Sequence, residues 1–192
     1  AYYPFDGNAS DMSGNGHHGT VSSATLTTDR FGSASKAYQF DGTDDYITTQ
    51  GSLITGTVFS AAMWVKIPAQ GHNAVVPLIT FGYSGDGARR LDFNVYETLT
   101  EMQIGTPGHN GIDYKSGGAK LFEYDQWAHV AVTSGDYSLS EVDFYVNGVK
   151  YAANYKGGGN YPFPLNNTAA VIGKHTSAPK GSNLIRYCAG SL

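Results

Sequence analysis

Apolar and polar residues alternate with a period of two through much of the chain. Such alternation turns one face of an extended segment toward a core and leaves the other for polar groups. From Val58 to Ile67, the residues Phe59, Ala61, Met63, Val65 and Ile67 share one face. From Arg89 to Tyr96, Arg89, Leu91, Phe93 and Val95 alternate with Arg90, Asp92, Asn94 and Tyr96. Leu99 to Gly105 sets Met102 and Ile104 against Glu101 and Gln103, and Gln126 to Thr133 sets Ala128, Val130 and Val132 against Trp127, His129 and Ala131. Shorter strands are expected over Thr20–Thr28, Lys36–Asp41, Tyr46–Thr49, Ile112–Tyr114, Ala169–Lys174 and Leu184–Cys188. Ala74 to Tyr83 is denser in apolar residues, and Pro77, which has no N–H for a sheet ladder, confines it to an edge or a bulge. Glu141–Val146, Asn147-Gly148 and Val149–Ala153 read as a hairpin, because Asn-Gly supplies the positive φ angles of a type I′ turn.

Helical periodicity is absent from any segment longer than about ten residues, and no internal repeat or linker interrupts the pattern. A series of short strands separated by turn residues predicts an all-β sandwich of two antiparallel sheets. The 192 residues suit a single domain spanning 1–192, and a strand pattern that begins almost at Ala1 predicts a module of a larger protein. A composition with 25 glycines, 14 tyrosines and 15% charged residues agrees with many turns and many strands.

A net charge of −4 argues against a nucleic-acid surface, which needs a basic patch, and against a polybasic membrane contact. No apolar run approaches the ~20 residues needed to span a bilayer. No basic start followed by an apolar segment opens the chain, so a secretion signal is expected to have been removed or to lie in a larger parent. Cys188 is the one cysteine, cannot form an intramolecular disulfide, and reads as a small buried hydrophobe.

Three groups of residues carry candidate chemistry. The opening run from Tyr3 to Gly16 is dense in Asp, Asn, Ser and Gly. It offers many oxygens in a short span, and a hard cation such as calcium takes about six to eight of them; the same composition also makes Asx turns that bond their own backbone. The polar row Arg90, Asp92, Asn94 and Tyr96, flanked by Glu101 and Gln103, mixes planar hydrogen-bonding groups with an aromatic ring. That mixture suits a sugar, with Tyr83, His109 and Tyr161 as a rim; a solvated outer sheet face is also polar. Glu141 and Asp143 point the same way along a strand. Retaining glycoside hydrolysis, however, needs an acid and a nucleophile about 5 Å apart, and no second pair is evident. The histidines lack the spacing of a zinc site, and His129, on the face of Trp127, reads as packed or hydrogen-bonded.

The segments Tyr-Pro-Phe-Asp-Gly-Asn (3–8), Asp11-x-Ser-Gly-Asn-Gly, Asp29-Arg30-Phe31-Gly32, Phe40-Asp41-Gly42-x-Asp44-Asp45-Tyr46-Ile47, Trp64, Trp127-x-His129-Val130 and Tyr145-Val146-Asn147-Gly148 stand in a recognisable order. In this the chain resembles the laminin-G-like modules of the concanavalin A-like lectin/glucanase superfamily. The resemblance implies a jelly roll of two curved antiparallel sheets. It also implies a structural calcium where the opening loop meets the last strand, with Asp6, Asn8, Asp11 and Asn15 as ligands. Asn183 stands where the family's closing strand usually carries an acidic pair. Glycosidases of the superfamily use Glu-x-Asp-x-x-Glu, whereas Tyr145, Val146 and Asn147 follow Asp143 here. The expectation is therefore a secreted or cell-surface, non-catalytic, lectin-like binding module for carbohydrate, with a structural calcium. A protein–protein adhesion module binding a cell-surface protein through Tyr161-Pro162-Phe163-Pro164 is the alternative, and a glycoside hydrolase a third.

Overall fold

The computed structural model describes residues 1–54, 58–69, 75–81, 91–96, 98–105, 112–135, 141–156, 169–174 and 187–189. Every regular element among them is a β-strand. One sheet has eight strands in the order β1 (Gly19–Ser22), β4 (Tyr46–Thr49), β14 (Ala170–Ile172), β6 (Val75–Phe81), β7 (Leu91–Tyr96), β8 (Glu101–Gly105), β9 (Ile112–Lys115) and β13 (Tyr155–Lys156). The other has seven, in the order β12 (Val149–Ala152), β11 (Val142–Val146), β10 (Trp127–Ser134), β5 (Phe59–Lys66), β15 (Tyr187–Ala189), β3 (Ala37–Gln39) and β2 (Thr25–Thr27). Neighbouring strands pair antiparallel in both.

The alternation read from the sequence decides which face each strand buries. In β5 the inward residues Ala61, Met63 and Val65 are buried, and in β10 Ala128, Val130 and Val132 join them. Leu91, Phe93 and Val95 of β7 are fully buried, and the ring of Phe93 stacks on that of Phe144 of β11 across the core, with centroids 6.3 Å apart. Each such side chain, once removed from water, contributes about 2 kcal/mol. Tyr3 and Phe5 of the opening segment are also in the core, with Phe5 edge-on to Tyr38 at 5.1 Å.

One expectation changes on contact with the structure. The segment Thr20–Thr28 is two strands, not one: Ser23 takes φ 58°, Ala24 N–H closes a turn onto Ser22 C=O at 2.7 Å, and β1 and β2 enter different sheets. Pro77 takes the second of its two expected places: β6 is an interior strand between β14 and β7, and the ladder accommodates the proline by a bulge-type register shift between Pro77 and Ile79. The hairpin is present as expected, with Asn147 at φ 50° and Gly148 at φ 82° between β11 and β12.

Gly173 ends β14 at φ 87°, and a Cβ there would stand 2.7 Å from two ring carbons of Phe40. Both the left-handed backbone and the fully buried Phe40 ring oppose any larger residue. Gly173→Ala is expected to lower unfolding free energy by about 3 kcal/mol, read as a lower urea midpoint with an unchanged m-value.

Candidate functional site

In the opening loop, Asp11 is buried, at 4% exposure. Its Oδ1 accepts from Tyr2 N (2.8 Å) and Ser13 N (2.9 Å), and its Oδ2 accepts from His17 N (3.0 Å). Burial alone would raise the Asp11 pKa, but these donors hold it well below the usual carboxylate range. Burial, and then the charge of Asp11, push the Tyr3 hydroxyl the other way. That hydroxyl donates to His17 C=O. Asn8 Oδ1 accepts from Ser10 N at 2.8 Å, Asn15 Nδ2 donates to Ser13 Oγ at 3.1 Å, and Asp6 pairs with Lys36. The loop is thus an Asx-turn network around Asp11, and a cation bound there would have to displace N–H groups already aimed at the carboxylate. Asn183 lies outside the described residues.

A second acidic group stands between β3 and β4. Each of Asp41, Asp44 and Asp45 presents a carboxylate oxygen within 4.8 Å of the others, with Asp41 and Asp44 exposed and Asp45 buried. Burial raises the Asp45 pKa; the N–H of Asp41, 2.7 Å from Asp45 Oδ2, opposes this, and the charges of Asp41 and Asp44 raise it further. Three hard oxygen donors that repel one another suit a cation in chemical type. Their sequence signal, Asp41-Gly42-x-Asp44-Asp45, belongs to the segment that carries the family resemblance.

On the eight-stranded sheet, β7 and β8 bring most of the expected sugar-binding row onto the face opposite the core. Asn94 stands opposite Gln103 of β8 and Pro77 of β6, and Asp92 stands opposite Gly105 and Thr80. Tyr96, Glu101 and Gln103 are half-buried, and Glu101 Oε1 lies 3.5 Å from Lys115 Nζ. Asp92 and Asn94 are only 4% and 3% exposed, so the centre of the row is dry. Among the described residues, no hydrogen-bond donor meets the Asn94 amide oxygen. Arg90 and the rim residues Tyr83, His109 and Tyr161 lie outside the described residues, as does the loop from Tyr161 to Pro164.

The outer face of the seven-stranded sheet carries Trp64 and His129 as cross-strand partners, with ring centroids 5.3 Å apart. Burial first, then the nearby Arg30 guanidinium, lower the His129 pKa and keep the ring neutral. Asp143, the carboxylate weighed for glycosidase chemistry, lies on this face and pairs with Lys150 Nζ at 2.7 Å.

The family model for laminin-G-type domains of the concanavalin A-like lectin/glucanases superfamily matches residues 41–191. No curated protein sequence matches the chain. Among solved structures, the botulinum neurotoxin type G receptor binding domain superposes with a TM-score of 0.65 at 13% identity, covering 99% of this chain and 45% of that one. A Trypanosoma rangeli sialidase in complex with 2,3-difluorosialic acid gives 0.61 at 15% identity, covering 91% of this chain and 27% of that one. The CBM40 of a Ruminococcus gnavus IT-sialidase gives 0.51 at 10% identity, covering 80% of this chain and 88% of that one. The chain therefore spans less than half of the toxin domain and about a quarter of the sialidase. At these identities the likeness is one of fold.

Asp11 generates a pH prediction. Its folded pKa lies below its unfolded value of 3.8, so its stabilisation is complete above that value and is lost as pH falls through the folded pKa. Asp11→Asn is expected to cost about 2–4 kcal/mol at pH 7, through donors left without a charged acceptor. It should also flatten the acid limb of stability plotted against pH, as measured by urea unfolding between pH 2 and 7.

Proposed function

Since the chain belongs to the concanavalin A-like lectin/glucanase superfamily, we propose that it is a non-catalytic carbohydrate-binding module that acts outside the cell or at its surface. One observation carries the reading: the Asn94 amide oxygen, buried in the middle of a polar row, has no donor among the described residues. An unpaired buried acceptor costs about 1–3 kcal/mol, and a sugar hydroxyl is the kind of donor that removes this cost once the groups covering the oxygen move aside to admit it. Asp92 beside it and Gln103 opposite supply further planar polar groups, while half-buried Tyr96 offers a ring for the apolar face of a pyranose. Such sites combine an apolar wall with a few placed polar groups. The fold supports the reading, since a module named as carbohydrate-binding shares it.

The proposal includes a structural calcium, with Asp41, Asp44 and Asp45 as its donors in place of the opening loop. Both carboxylate oxygens of the opening loop's Asp11 already accept from N–H groups. Bound calcium would neutralise the mutual repulsion of the three carboxylates and tie the β3–β4 connection.

Two measurements test these statements. Asn94→Leu replaces an unsatisfied oxygen by an apolar group of similar volume. On a glycan array followed by calorimetry, it should weaken sugar binding at least tenfold while leaving the melting midpoint unchanged or higher. An equal loss of binding and stability would reduce Asn94 to a structural residue, and wild-type protein silent on the array would sink the carbohydrate reading. For the metal, excess calcium should raise the midpoint by several degrees over chelator, since a ligand of the folded state alone adds RT ln(1 + [L]/Kd). Asp44→Asn should abolish that rise, whereas Asp11→Asn should lower both midpoints and preserve it.

A further inference from the structure

The seven-stranded sheet carries a cluster that the site on the other sheet does not use. It begins in the turn between β2 and β3, which is rigidly built. Asp29 Oδ1 accepts from Phe31 N (2.9 Å) and Ser33 N (2.8 Å), Asp29 N donates to Ser33 C=O (3.0 Å), and Lys36 N donates to Thr27 C=O (3.1 Å). From this turn Arg30 reaches over the line of β3 and β15 to β5. Its guanidinium carbon stands 4.2 Å from the centroid of the Phe31 ring and 4.4 Å from that of Trp64. Arg30 is exposed, and Phe31 is 74% exposed.

A guanidinium stacked on aromatic rings has its faces occupied and its edges open, because its N–H groups all lie in the plane. Among the described residues no carboxylate or carbonyl accepts from Arg30. The adjacent carboxylate, Asp29, is committed to the turn, and Asp143 on the same sheet face is paired with Lys150. A fixed, open guanidinium edge matches a carboxylate in bidentate fashion. The exposed Phe31 ring beside it presents a negative π face that attracts polarised C–H groups, such as those on one side of a pyranose. Of the other described cations on this face, Lys150 is paired with Asp143 and Lys66 has an interaction of its own, whereas a polysulfated chain would call for a row of open ones.

We infer that this cluster is a second ligand site, for a saccharide bearing one carboxylate: Arg30 takes the carboxylate along its edge, and Phe31 takes the sugar ring. The inference goes beyond the site at Asn94 and does not depend on it.

Both tryptophans of the chain, Trp64 and Trp127, lie on this sheet face, so tryptophan fluorescence, excited beyond the tyrosine absorption, reports on its occupancy and not on the opposite sheet. The test is a titration of the whole chain with two acidic sugars and their neutral counterparts: cellobiouronic acid against cellobiose, and sialyllactose against lactose. At least one acidic sugar should give a saturable fluorescence change, with its neutral partner at least tenfold weaker. Arg30→Gln should weaken that binding at least tenfold and Phe31→Ala several-fold, while Asn94→Leu leaves the titration unchanged. Silence of both acidic sugars overturns the inference, as does equal response to a neutral partner or wild-type affinity in Arg30→Gln. Equal affinity for hexaglutamate would show that the face reads charge without sugar, and tighter binding of heparin oligosaccharides would show a polyanion surface; either result also overturns it. If Arg30→Gln melts more than about 5 °C lower, the comparison of acidic with neutral sugars on the wild-type chain decides alone.

Discussion

A β-strand has two faces, and a two-layer sandwich buries one of them against the partner sheet. Everything distinctive in this protein follows from how it disposes of the other. The seam between the sheets is filled in the ordinary way, by Phe93 against Phe144 and by the aliphatic rows of β5 and β10. The outer faces are treated differently from each other. On the eight-stranded sheet the polar side chains of β7 are themselves withdrawn from water, so the middle of that sheet is apolar on one side and dry but polar on the other. On the seven-stranded sheet the outer face is half-exposed and aromatic, with the arginine of a distant turn laid across it.

The inward half of this arrangement was legible in the sequence. Phe59, Ala61, Met63, Val65 and Ile67, or Leu91, Phe93 and Val95, alternate too regularly to be anything but core rows, and Asn147-Gly148 marks its hairpin because few other pairs accept two positive φ angles. The break at Ser23 was not legible. Val21 and Leu26 sit in a run of Thr and Ser that reads as one strand, and the turn arises from a single left-handed residue. Nor does alternation say that an outer face is dry: Asp92 and Asn94 were correctly placed on the face opposite the core, but their burial is a property of the assembled molecule. The stacking of Arg30 on Trp64 is hidden for a like reason, since strand order, not sequence distance, brings the β2–β3 turn over β5.

The two acidic constellations show how similar compositions diverge physically. Asp11 has both oxygens facing N–H donors, and its charge is welcome. Asp45 has one such donor and two neighbouring carboxylates, and its charge is resisted. A count of Asp and Asn residues ranks the opening loop first; the direction of each pKa shift ranks it second.

Each sheet is completed by a strand from late in the chain. β14 fills the space between β4 and β6, and β15 that between β3 and β5. Until those segments arrive, each sheet is two pieces with raw edges facing each other, and unpaired edges invite pairing with other chains. Synthesis from the amino terminus therefore leaves both gaps open for long, the eight-stranded sheet until residue 172 is available and the seven-stranded sheet until residue 189. The order of the strands makes closure of this sandwich late relative to its other strands and largely non-local, of the kind that proceeds slowly.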